Sequence, residues 1–475
     1  MRILVVITLF FSFYCSESDK KTGDYSDVIK DLIDEGDTAY KDGETPNQDG
    51  GYDRDYYFAD MDLYPDIGFE FVTGKDYYQS EETDIPPKGV WFSDPNFHTM
   101  IARITDRKSD GYSGSGIQNE YSRTDPENSD GRYIILRGND GEWYLYSGEN
   151  FTMLKKLEGI NSGGQEPEPR WDSSNPDVFY YFFGSEIRRY RVSESSFETV
   201  HNFRNEYPLA SFISTGTEGD ASLDRRYWCF MLLNDAYNLL GVVSYDRIQD
   251  KILGYYSAAS LPEGVGLNWT SMDMSGEFCL FGYEDTGAGY TPPVAVFEKN
   301  LTYRLNLPDG ATGHMDIAVD EEGRDVMVYQ NNRTDWIAMA DLKSGTEINL
   351  VEIPFATNGD IGLHFSGNNF SAPGWVLVST YGSKNPPSGN EHSWMDNQLF
   401  MVQLKENPVI LRIAHTHSYT SLDYEGEKNY FAECFAAINR KGSAIYFGSN
   451  WNIYTFEYTD EYIIILPPDW TMLVH

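Results

Sequence analysis

The chain has 475 residues, and 74 acidic against 36 basic side chains leave a net charge of −38, which repels phosphate backbones and anionic lipid faces and argues against nucleic-acid binding. Aromatics make up 15% of the sequence and glycine numbers 42, a balance that favours strands and tight turns over helices. An anionic ligand would need arginine and histidine gathered locally against this global field.

Met1-Arg2 and the apolar run over residues 3–14 read as a short secretory signal, since a dozen apolar residues cannot span a bilayer. The expected location is therefore periplasmic, cell-surface or extracellular. Cys15 suggests the lipoprotein type, with a lipid anchor as the membrane attachment, although Ser12-Phe13-Tyr14 is bulky for that kind of cleavage site. Residues 16–86 are acidic and poor in apolar periodicity, apart from a short helical stretch at 26–35. They predict a largely disordered N-terminal tether that ends in a partly ordered arm at 56–71. Its Asp-Gly clusters lack a complete calcium loop.

From Pro87 the texture changes to short strands, and units open near residues 121, 168, 219, 267, 313, 362 and 430. All but the last step are close to the roughly 40–50 residues of a four-stranded propeller blade. Several units carry an Asn/Asp-x-x-Gly turn before an apolar run: Asn128-Ser129-Asp130-Gly131, Asp273-Met274-Ser275-Gly276, Asp320-Glu321-Glu322-Gly323 and Asn439-Arg440-Lys441-Gly442. Third strands are legible at 143–146, 187–190, 240–245, 294–297, 336–340 and 398–403. The long sixth unit carries a Gly/Pro/Ser-rich insertion, 382–397, read as a rim loop that brings His392 and Trp394 over the site. The fold expected is an all-β, seven-bladed β-propeller over residues 87–475, a monomer, with the strand at 99–104 closing the ring against the final unit. Cys229, Cys279 and Cys434 lie in predicted strands without metal-ligand spacing, and their odd count predicts buried free thiols.

Propeller ligands bind where the inner strands converge, so the residues opening each unit are the candidates: Tyr121, Arg123, Arg170, Asp220, Asn268, Trp269, His314, His364 and Glu433. His415 and His417 would point to one face of a strand, a geometry that suits a divalent metal cofactor but supplies too few ligands for a site. Each histidine has a plainer reading as a hydrogen-bonding partner of neighbouring turns. Carboxylates are too numerous to pick out a glycosidase pair.

The stretches GHMDIAVDEEG (313–323), DIGLHFSG (360–367), PGWVLVSTYG (373–382), AIYFGSNW (444–451) and QNEYSRTDPENSDG (118–131) resemble secreted seven-bladed propellers that include oligogalacturonate lyases and, more distantly, propeller ulvan lyases. The resemblance implies β-elimination on a uronic-acid polysaccharide. A histidine or tyrosine takes the C5 proton, and an arginine or metal neutralises the carboxylate. Oligogalacturonate lyases build their metal site partly from a His-x-His pair where this chain has Phe435-Ala436-Ala437, so the arginine-neutralised version is the one expected. Its catalytic residues would be His314, His364, Tyr121, Arg123 and Arg170, with Trp269, Asn268, Trp394, His415 and His417 binding substrate. The competing expectation is a non-catalytic surface propeller that binds glycan or protein.

Overall fold

In a computed structural model, residues 63–64, 69–162, 164–453 and 458–474 are described, and they form strands and turns with three short 3-10 turns and no α-helix. The signal segment, Cys15 and the tether up to residue 62 lie outside the described residues.

The chain is a seven-bladed β-propeller. Its innermost strands are Gly116–Gln118, Arg170–Trp171, Phe212–Ser214, Val265–Met272, Ala311–Val319, Gly362–Ser366 and Ala437–Ile438. Blades two to six are separate four-stranded antiparallel sheets, whereas the first and last share one nine-stranded sheet, in which Thr459 pairs Gly116 in parallel. Met100–Arg103 completes the last blade by pairing antiparallel with Thr459–Ile465, so the ring closes where the sequence predicts. The third strands also fall where expected, from Trp143–Ser147 in blade one to Gln398–Gln403 in blade six. Blade three differs, since its inner strand begins at Phe212 and not near residue 219.

Packing explains the sequence texture. A hydrophobic cluster lies between each pair of consecutive blades all round the ring, including the last against the first. Second strands, such as Tyr227–Leu233 and Ala444–Ser449, are therefore covered on both faces and read as unbroken apolar runs, while outer strands such as Ser196–Asn202 are exposed. The recurring Asn/Asp-x-x-Gly is one turn used four times. The Asn128, Asp273, Asp320 and Asn439 side chains accept from the N–H five residues on, or four for Asp320, and each glycine N–H closes back on the first residue's carbonyl. The glycines take φ of 69–77°, where a Cβ would be strained.

Two expectations are corrected. Cys229 and Cys279 form a disulfide, and only Cys434 among the described cysteines is a free, buried thiol. Their separation of 50 residues is one blade repeat, which puts them at facing positions of adjacent second strands with Cα atoms 5.9 Å apart. The segment after residue 69 is packed onto the propeller rather than solvated. Thr73 pairs with Leu411 at the edge of blade six, Arg412 N–H donates to the Val72 carbonyl at 2.8 Å, and the Trp451 indole donates to the Asp84 carbonyl at 3.2 Å.

Candidate active site at the channel mouth

Because side chains alternate along a strand, His314 and Asp316 share with Ala318 the face of blade five that turns toward blade six, and His364 reaches the same space from blade six. The two imidazoles meet edge to face with centroids 5.1 Å apart. Tyr121, from the segment after the first inner strand, packs 5.2 Å from the His364 ring, and Arg123 lies over both Tyr121 and Trp269 at 5.6 and 5.8 Å. Arg123 also donates to the Glu218 carbonyl at 2.9 Å and pairs with its carboxylate at 3.3 Å.

Three residues that sequence reasoning passed over complete the cluster. Tyr381 ends the second strand of blade six, opposite Gly362 in the antiparallel register, and stacks on His364 at 4.8 Å. Gly362 leaves room for this stack, because a Cβ at that position would collide with the phenol end of Tyr381 and displace the ring. Phe435 lies 4.9 Å from His364, and the exposed Tyr430 leans on Phe435 at 5.2 Å. Between Tyr430 and Phe435, Glu433 brings its carboxylate to 3.4 Å from His364 Nε2, with 21% of the side chain still open, and it accepts from the Tyr381 phenol. Cys434, at φ 53°, turns the chain between Glu433 and Phe435.

Burial governs the protonation of this cluster. It holds His314 down to about 3, helped by His364 and opposed by Glu433; burial and then Arg123 hold His364 down to about 3. Both rings are neutral at pH 7. Burial lifts Glu433 to about 7 against the pull of His314, Tyr381 and Lys428, and it pushes the Tyr121 and Tyr381 phenols well up. The mouth therefore holds neutral bases beside protonated phenols.

Arg170 is placed differently. It is buried among Glu120 at 2.7 Å, Asp220 at 3.5 Å and Glu168 at 4.0 Å, and it donates to the Gly219 carbonyl; Asp220 also pairs with Arg225 at 2.6 Å. An arginine enclosed by three carboxylates is structural charge pairing, not a clamp open to substrate. Asn268 is exposed at the bulge between Leu267 and Trp269, while Trp269 is buried with its ring lying where a Cβ on Gly282 would sit.

Trp394, His415 and His417 do not reach the mouth. Trp394 is core between blades five and six, and its carbonyl accepts from Arg412 at 2.8 Å. His392 bonds Asp396 and stacks on Tyr77, so the 382–397 insertion is sealed against the N-terminal arm. His415 bonds the Tyr78 carbonyl at 3.0 Å, and His417 packs on Trp451 at 4.2 Å beside Ser80. The histidine pair read as a metal signal thus anchors that arm. At the mouth, Phe435 occupies the position of the missing His-x-His pair, and among the described residues no group of three or more His, Cys, Asp or Glu is arranged to hold a metal. The donor set does not fit the metal site that the resemblance implies.

No family model matches the chain, and no curated protein matches it. Among solved structures it is similar to the β-propeller domain of Cps50 (Swd1) from Myceliophteria thermophila, with 12% identity over 72% of this chain and 96% of that one and a TM-score of 0.43.

Proposed function

We propose that the mouth is the active site of an exported lyase that cleaves a uronic-acid polysaccharide by β-elimination. The observation that carries this reading is the convergence of Tyr121, Arg123, His314 and His364 from three separate blades into one set of touching side chains. A neutral His314 or His364 takes the C5 proton, Arg123 faces the uronate carboxylate, and the C4–O bond breaks as the C4=C5 double bond forms. Tyr121 or Tyr381, each a protonated phenol, returns a proton to the leaving oxygen. The Cys229–Cys279 disulfide supports the exported location, because such bonds persist in oxidising compartments.

One observation favours the rival reading of a non-catalytic glycan- or protein-binding propeller. Glu218 already pairs with Arg123, and with Glu433 it places two carboxylates where an anionic substrate would sit. The deciding measurement is absorbance of the unsaturated uronate on ulvan, pectate and glucuronans. Turnover that is lost in His314→Ala, with the circular-dichroism spectrum unchanged, supports the lyase. A flat trace on every polymer with binding retained overturns it in favour of the scaffold.

A further inference from the structure

Between blades one and two lies a cavity of about 10 Å³, lined by Glu120, Thr124, Asp125, Pro126, Ile135, Trp143, Pro169 and Trp171. That volume is near the roughly 10–15 Å³ that a single water needs and too small for anything larger. Three of the lining residues bring buried polar atoms with no protein partner: Glu120 Oε1, Thr124 Oγ1 and Trp143 Nε1. The companion indole, Trp171, is satisfied by the Pro126 carbonyl at 2.9 Å, and the other Glu120 oxygen is satisfied by Arg170 at 2.7 Å. A buried donor or acceptor left unmet is costly, so three around one small cavity call for a shared partner.

The donor and acceptor types identify that partner. An indole N–H only donates, an ionised carboxylate oxygen only accepts, and a threonine hydroxyl does either. A cation would face the indole N–H, and an anion would face the carboxylate; a molecule that both donates and accepts suits all three. We propose that Glu120, Thr124 and Trp143 hold one structural water between blades one and two, which accepts from the indole, donates to Glu120 and exchanges a hydrogen bond with Thr124. The site lies one residue before Tyr121 in the chain, and through Glu120 it joins the Arg170 ion-pair cluster under the mouth. It does not depend on the lyase reading.

A high-resolution crystal structure of the full chain tests it. Density for one atom within hydrogen-bond distance of Glu120 Oε1, Thr124 Oγ1 and Trp143 Nε1 is expected. An empty cavity, or the three atoms bonded directly to protein, overturns the proposal. Thr124→Val and Trp143→Phe supply a second arm in denaturant unfolding. Each single substitution is expected to lower the midpoint, and the second is expected to lower it by less than half as much once the first has dislodged the water. Fully additive losses overturn the shared water. Should either variant fail to fold, the crystallographic arm decides alone.

Discussion

Two pairs of histidines in this propeller are held in different ways. His415 and His417 sit two residues apart at the end of one outer strand, and their rings are taken up by the Tyr78 carbonyl, Ser80 and Trp451. His314 and His364 come from neighbouring blades, 50 residues apart in sequence, and meet at the mouth, where His364 Nε2 has no hydrogen-bond partner and only a 3.4 Å approach from Glu433. His364, His415 and His417 are all buried, so burial alone does not separate the pairs. What separates them is what the rings face: His415 Nε2 and His417 Nδ1 bond the N-terminal arm, although His415 Nδ1 is left without a hydrogen bond, whereas His364 Nε2 is approached only by Glu433.

The largest effect expected from this contrast is catalytic. On the proposed lyase reading, His364→Ala should reduce turnover by about 10²–10⁴-fold, read as formation of unsaturated uronate, with the thermal midpoint moved by only a few degrees. His415→Ala should do the reverse. Removing a buried ring bonded to the Tyr78 carbonyl should cost about 2–3 kcal/mol in denaturant unfolding and open residues 69–86 to protease, while turnover per folded molecule is kept. Equal loss of activity in both variants would erase the distinction.

The pH dependence of stability sharpens it further. A histidine held at about 3 when folded and near 6.5 when unfolded binds its proton only in the unfolded chain between those values, so stability rises with pH across that window. His364→Phe should flatten this acid limb by up to about 1.4 kcal/mol per pH unit down to pH 3. His417 is held at about 4 by burial and then His415, so His417→Phe should flatten the limb only down to pH 4. Glu433 acts in the opposite sense, since ionising a carboxyl lifted to about 7 costs stability as pH rises from about 4.5 to 7. The smallest effect expected is that of Glu433→Gln, a change in rate of less than about tenfold that removes the inflection near pH 7 from the rate profile.

The parts of the fold that could be read in the chain were those with local causes. The Asn/Asp-x-x-Gly turn needs only a side-chain acceptor and a residue tolerant of positive φ, so it recurs visibly in four of the seven blades. His314 and His364 were legible because they open inner strands, whose direction in a propeller is fixed. Tyr381 was not, since it sits at the far end of a second strand and joins the mouth only through its register with Gly362. The odd cysteine count misleads for a related reason: Cys229 and Cys279, one blade repeat apart, meet on adjacent second strands whatever the total count.

Sequence alone determined the all-β class, the seven repeats, the closing strand and the gathering of histidine and arginine on or beside inner strands. Tertiary structure decided which of those polar groups remain available. Arg170 was claimed by Glu120, only 50 residues away, and His415 by a carbonyl 337 residues earlier in the chain. Composition and spacing describe what a residue can bond, whereas the partners that use up its donors and acceptors arrive from distant segments once the ring has closed.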